Sequence, residues 1–475
     1  MGRGIRALAG SPARRRPVDR AKGCARIGSS TGDFEDENEN EDEDERGMNI
    51  VQITAGAGGM YCGICFRDNA VVAALRKMGH NVLMVPLYLP LTLDEPDQSA
   101  GTPIFFSGIN VYLEQKSAFF RAAPNWLRQM LGSRSLLKWV GTKTARTQPK
   151  DLGDLTLSML RGEDGFQVRE LNELIAWLKQ QPKPDVICLS NALLVGLTRK
   201  LKQELGAPIV CMLQGEDAYL DALPAAYRDL CWEALSDRAK DVSRFGAASR
   251  YFGNLMRGRL ELPSDQVRVV YSGINLDGYD QPAAAKPLTL GFFARMCPDK
   301  GLDILVDAYL LLLKRGRLKD LKLKIGGGCG PTDEAFVNGL REKLEDAHAP
   351  VEFHPNLDRP AKIEFLRSLS LFSVPARSRE AFGMYVIEAL AAGVPVVQPR
   401  AGAFPEIIEA TGGGILCEPE NPASLADALE SLLLAPDRIR ALADGGRRAI
   451  HEKFSAEAMA ASTLEFFQTA LASKC

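Results

Sequence analysis

No apolar run in this 475-residue chain is long enough to cross a bilayer. The strongest such stretch near the front, residues 81–93, is broken by Pro86 and Pro90. A dominant charge is missing too. Lys and Arg total 58 against 60 Asp and Glu, so bulk charge gives no reason to expect a nucleic-acid partner. Histidine is scarce: His80, His348, His354 and His451 are all there is, and none stands in a catalytic motif. The ten cysteines form no paired framework, and several lie in apolar runs such as PDVICLS and PIVCML, where they act as small buried hydrophobes. Cys62 and Cys65 form one C-x2-C, but no second such pair or neighbouring histidines complete a zinc site, so no metal is expected. No signal-peptide pattern precedes them, and a reducing, cytoplasmic setting is the expectation.

The length is enough for two or three domains. Residues 1–47 are basic and then densely acidic, with no recurring apolar face. They cannot offset ordering entropy by burial, and they read as a disordered tail or an extension from too early a start. From Asn49 the pattern becomes strand, glycine loop, helix, strand. NIVQITA, NVLMVPL, DVICLS, PIVCMLQ, RFGAAS and VRVVYSG are strand candidates in the first half. LTLGFFAR, LKLKIGGG, VEFHPNL, LFSVPA, VPVVQPR and GGILCEP follow the linker-like YDQPAAAKP. Runs apolar on both faces and separated by helices indicate parallel sheets covered on both sides. The expectation is an α/β chain with two Rossmann-like domains facing across a cleft and a helical C-terminus. The expected boundaries are 48–285, 286–455 and a C-terminal helix, 456–475, packing back on the first domain. Ligands of such folds sit beyond the carboxyl ends of the strands. A dinucleotide site is not expected, because Tyr61 breaks G-x-G-x-x-G and no acidic residue ends the second strand.

The most informative stretch is SREAFGMYVIEALAAGVPVV, residues 378–397. Glu380 and Glu388 stand eight positions apart, with Phe382, Gly383 and Met384 between them. Glu380 falls in the loop entering a helix and Glu388 inside it. Amides near Gly383 and Met384 lie at the helix N-terminus, where they donate to phosphate or sugar oxygens. On spacing alone the two glutamates are equally a solvated face. FFARMCPDKG follows a strand and carries Arg295 and Lys300, and IGGGCGP after the next strand carries Gly326 and Gly327. On position alone the two cations are equally solvated bases in a loop.

These stretches together resemble the retaining glycosyltransferases of the GT-B fold, the GT4-type group, over most of residues 48–453. The resemblance rests on E-x7-E with F-G between, and on G-R-x4-K-G with Ala294 in place of the first glycine. It implies that Glu380 holds sugar hydroxyls and Glu388 the nucleotide ribose, while Arg295 and Lys300 meet the diphosphate. It implies further that Gly58 and Gly59, with Gly326, Gly327, Phe382, Gly383 and Met384, surround the donor. The donor is then a nucleoside diphosphate sugar, with no cofactor and no metal. MLQGEDAYLD resembles the family's H-G-x-D region, with Gln214 where the histidine is usual. Gln214, Glu216 and Asp217 are the acceptor-side candidates, although the two carboxylates serve equally as helix caps. Glutamine donates and accepts hydrogen bonds but carries no proton to transfer.

Residues 115–150 contain no acid, and interleave Arg121, Arg128, Arg134, Lys138, Lys143 and Arg146 with Phe119, Phe120, Trp126 and Trp139. Such a stretch covers a sheet by default; it also suits peripheral contact with an inner membrane surface and a lipid-linked acceptor. The acceptor is otherwise a sugar or glycan hydroxyl. For Cys62 and Cys65, small side chains in a tight loop are the reading taken, with a redox pair at a helix start as the alternative. Two other functions remain open: a nucleotide-sugar epimerase on the same fold, and a non-catalytic nucleotide-sugar-binding protein.

Overall fold

The computed structural model describes residues 47–56, 62–106, 152–279 and 288–472. The expected tail, the linker after Tyr279, Gly58, Gly59 and the basic stretch 115–150 all lie outside these residues. The first six strands are β1 (Asn49–Thr54), β2 (Asn81–Pro86), β3 (Val186–Leu189), β4 (Ile209–Leu213), β5 (Arg244–Ala247) and β6 (Val267–Val269). The next six are β7 (Thr289–Phe293), β8 (Lys322–Gly327), β9 (Val351–Pro355), β10 (Leu371–Phe372), β11 (Val396–Pro399) and β12 (Gly414–Cys417). Each falls in a run read as a strand above.

All pairings are parallel, in the orders β2-β1-β3-β4-β5-β6 and β12-β11-β10-β7-β8-β9. Central strands such as β4 (IVCML) are buried at every position, as a sheet covered on both faces requires. Strand order reverses between β1 and β3 in the first sheet, and between β7 and β10 in the second. At a reversal the following connections diverge to opposite faces and leave a crevice at the carboxyl ends. The loops that carry Lys300 and Glu380 are the two that leave β7 and β10.

The first helix runs Gly63–Lys77, with Cys62 in its N-cap position. Gly79 beyond its end takes φ +90°, a conformation that suits glycine. The last helix, Ala456–Ala472, follows the second half in sequence but buries Met459, Phe466 and Phe467 against Ile50, Val71 and Leu75 of the first. Its crossing is fixed by backbone bonds: Ile274 N donates to Phe454 O at 2.9 Å, and Ala456 N to Ile274 O at 2.8 Å.

A second tie between the halves is electrostatic. The buried carboxylate of Glu406 accepts from Arg250 N and Tyr251 N, each at 2.9 Å. It thus caps the helix Arg250–Arg259 from across the molecule, a placement favoured by the helix dipole. Replacing Glu406 by Ala strands two amides, and its expected cost is about 1–2 kcal/mol. A fall of a few degrees in melting midpoint, roughly 2–4 °C per kcal/mol, is the result that checks it.

Candidate functional site

The loop after β7 returns sharply through a short 3-10 turn, Pro298–Lys300, into the helix Leu302–Arg315. Arg377, on the loop after β10, stitches to that turn. Its guanidinium grips Asp303 through two bonds of 2.7 and 2.6 Å and donates to Pro298 O at 2.6 Å, while its backbone N donates to Asp299 O at 2.9 Å. With the two loops locked together, Lys300 Nζ reaches Glu380 Oε1 in a direct ion pair. Ser378 Oγ donates to the same oxygen at 3.4 Å. Lys300 also lies 5.9 Å from the centroid of the Tyr385 ring. Burial raises the Tyr385 hydroxyl's pKa well above its ordinary value, and the Glu380 charge adds to this.

Gly383 precedes the helix Met384–Ala391 at φ +93°, and a Cβ there would come within 2.9 Å of the Phe404 ring. Only glycine makes this entry without strain. The first helical residues, Met384 and Tyr385, line a cavity between the halves. The first half contributes Gly63, Phe66 and Asp94; the second contributes Arg295, Gly327, Lys362, Met384, Tyr385 and Glu388, among others. Gly327, at φ +119°, would place a Cβ within 1.9 Å of Ala294 O, so the loops after β7 and β8 lie too close for any side chain there.

Arg295 is held in a fork by Asp333, with Nε to Oδ2 at 3.0 Å and Nη2 to Oδ1 at 2.9 Å. That hydrogen bonding raises its pKa further, so its charge is permanent. Its side chain is 59% exposed, leaving other guanidinium hydrogens open to a ligand. Glu388 meets Lys362 Nζ at 2.9 Å, and the same ammonium reaches Asp94 Oδ2 at 3.0 Å across the cleft. Beside it, Arg359 pairs with Glu95 at 2.8 Å.

Residues 156–277 match the family model Glycosyltransferase Family 4, and residues 280–449 match Glycosyl transferases group 1. The chain belongs to the GT4-type glycosyltransferases. A D-inositol 3-phosphate glycosyltransferase of Streptomyces scabiei is 31% identical over 237 residues, 46% of this chain and 52% of that protein. An uncharacterized glycosyltransferase of Methanocaldococcus jannaschii is 29% identical over 262 residues, 54% of this chain and 67% of its own. The chain thus matches about half the length of the first of these relatives. Among solved structures, Anabaena HepE in complex with UDP superposes with TM-score 0.63 at 15% identity, covering 89% of this chain and all of that one. Sucrose-phosphate synthase from Thermosynechococcus elongatus gives TM-score 0.65 at 17% identity, covering 90% and 100%. At such identities the likeness establishes the GT-B fold.

On that fold, the GT4-type stretch leaving β10 and the basic loop leaving β7 meet through Lys300 and Glu380, which adjoin Tyr385 but do not themselves line the cavity; the acceptor-side candidates are outside the lining as well. Glu216 is 3% exposed, and its oxygens accept from Ala192 N at 2.8 Å, Gln214 N at 2.9 Å and Gly215 N at 3.0 Å. Burial raises its pKa against the pull of those amides. Its bonds make it an anchor for the loop. Gln214 donates through Nε2 to Ser190 O at 2.7 Å, and Asp217 is half-buried in the first turn of the helix Glu216–Asp221. Gly326 is the last residue but one of β8, next to Gly327, and Phe382 is buried at 5% exposure, its ring 6.3 Å from that of Tyr271. Among the described residues no group of three or more His, Cys, Asp or Glu could hold a metal.

Sequence reasoning missed Lys362, Asp94 and Asp333. None belongs to a motif, and each gains meaning only when distant loops converge. Burial pulls the Lys362 ammonium's pKa down, but Glu388, Tyr279 and Asp94 outweigh it and hold it above its usual value. Lys362→Ala leaves two nearly buried carboxylates facing each other, with an expected loss of about 3 kcal/mol in denaturant unfolding. Lys362→Arg is expected to recover most of it.

Proposed function

We propose that the chain is a retaining hexosyltransferase that moves a sugar from a nucleoside diphosphate sugar to a hydroxyl of a sugar, glycan or lipid, without a metal ion. The observation that carries this reading is the contact of Lys300 with Glu380 at the strand-order reversal, flanked by Arg295 and by the amides that open the helix Met384–Ala391. As the glycosidic bond breaks, charge grows on the diphosphate. In this reading Lys300, Arg295 and those amides meet that charge from positions held by their own loops, so little reorganisation is needed. Glu380 holds sugar hydroxyls while keeping Lys300 in place, and Glu388 takes the ribose hydroxyls.

Among the described residues, none beside this cluster is built to accept the acceptor's proton. Gln214 is an amide already spent on Ser190 O. The donor's own phosphate oxygen is the remaining base, and departure and attack on one face of the sugar give retention. Solved neighbours of this fold were crystallised with UDP and glucose, and several relatives are named D-inositol 3-phosphate glycosyltransferases. A uridine nucleotide and a phosphorylated polyol therefore belong in the first screens. With a lipid acceptor, residues 115–150 are the expected membrane contact, on the cytoplasmic side.

A thermal-shift screen against UDP-, GDP- and ADP-sugars tests the donor. The right one raises the melting midpoint, by about 2.7 kcal/mol of stabilisation at a hundredfold excess over Kd. No response to any of the three would sink the reading. Lys300→Ala and Glu380→Ala are each expected to cut turnover roughly 10²- to 10³-fold while melting as the parent does. Turnover unchanged by EDTA is expected as well; a loss restored by a divalent ion would refute metal independence. Gln214 and the other departures from the family pattern, such as Ala294, support the non-catalytic reading, and tight donor binding without turnover over a broad acceptor panel would favour it.

A further inference from the structure

Two thiols and a carboxylate stand in line at the start of the helix Gly63–Lys77, and sugar transfer uses none of them. Cys62 occupies the N-cap position and is partly exposed; Cys65, one turn on, is 1% exposed and packs in the cluster with Val71 and Met84. Phe66 N donates to Cys62 O at 3.1 Å, which fixes this first turn. The two thiols stand three positions apart across this first turn. Asp68, three residues beyond Cys65 on the same face, is fully enclosed. One of its oxygens meets Arg67 at 3.0 Å, while Oδ2 has no hydrogen-bond partner among the described residues.

The electrostatics divide the two thiols. The hydrogen bond from Cys65 is the main cause that draws the Cys62 thiol down to about 7, against the opposing effect of burial. The same contact, with burial, pushes Cys65 far up. Burial likewise lifts the Asp68 carboxyl to about 6, more than the Arg67 charge lowers it. Exposure points the same way: Cys62 is the thiol that a small disulfide can reach, Cys65 is enclosed behind it, and the Asp68 carboxylate follows one turn on. Cys188 and Cys211 differ: they are enclosed strand residues pushed up by burial.

We propose that Cys62 and Cys65 form a reversible dithiol–disulfide site that exchanges with small disulfides such as oxidised glutathione. The Cys62 thiolate attacks one sulfur of the external disulfide, forming a mixed disulfide and expelling one thiolate. Cys65 gives its proton to Asp68 and attacks the Cys62 sulfur, expelling the second thiolate. The protein loses two electrons as an intramolecular disulfide, and the external disulfide becomes two thiols. A reducing compartment suits such a site, since disulfides there are transient. The site stands on the cleft, because Gly63 and Phe66 of the same turn line the cavity.

The test equilibrates the full chain in graded ratios of reduced and oxidised glutathione, blocks free thiols with a maleimide and maps linkages by mass spectrometry. Cys62 and Cys65 are expected to lose labelling together and to be joined to each other, while Cys188 and Cys211 stay free. Cys65→Ser is expected to accumulate glutathione on Cys62, and Cys62→Ser to take none on Cys65. Absence of the 62–65 linkage at the most oxidising ratio would overturn the proposal, as would adducts on Cys65 in Cys62→Ser. Asp68→Asn is expected to slow ring closure about tenfold or more with mixed disulfide accumulating; an unchanged rate removes Asp68 from the step.

Discussion

Lys362 sits on two carboxylates at once, and they come from opposite sides of the cleft. Asp94 belongs to the loop after β2, Glu388 to the helix that the glycine entry begins. One ammonium between two acids, all three little exposed, fixes the approach of the halves at this point. It also neutralises Glu388 without using all of its oxygen lone pairs. A second cation, Arg359, holds Glu95 alongside and donates to the backbone oxygens of Asn275 and Asp277. The cavity's shape depends on these bridges, because its walls come from both halves.

The strands were legible because burial on both faces leaves a strong trace. IVCML and VICL have no polar position to confuse the pattern, and the helices between them impose parallel pairing. The basic loop and the glutamate stretch were legible for a different reason: each is local, and spacing within a single loop or turn survives in one dimension. What could not be read was any contact that joins loops. Asp333 looks like an ordinary helix-start acid, yet it orients Arg295. Glu216 looks like an acid available to a substrate, yet three backbone amides occupy it. Lys362 has no motif at all. In each case the side chain's role is set by what a distant turn places beside it.

Charge compensation is the recurring device of the candidate site. Lys300 faces Glu380, Arg295 faces Asp333, and Lys362 faces Glu388 and Asp94. A cluster of bare cations would attract any polyanion and would repel itself before a ligand arrived. Pairing lowers that cost and holds long side chains in one rotamer. The two diphosphate candidates are nevertheless not equivalent. Arg295 is forked onto a buried acid yet much exposed, so it can donate outward without releasing its partner. Lys300 is a point charge on a shared carboxylate, so a ligand oxygen reaching it must also contend with Glu380.

That difference suits the division of labour proposed for the two residues. A group that keeps its partner throughout is suited to recognising the diphosphate in the ground state. A group whose partner also faces the sugar is suited to responding when charge moves from the sugar to the phosphate. Under the proposed mechanism, the sugar would become positive as the bond lengthens and favour Glu380, while the phosphate would become negative and favour Lys300. The ion pair then polarises in the direction the reaction needs. The loops that carry it are already clamped by Arg377, so under that mechanism the gain would arise in the transition state rather than on binding.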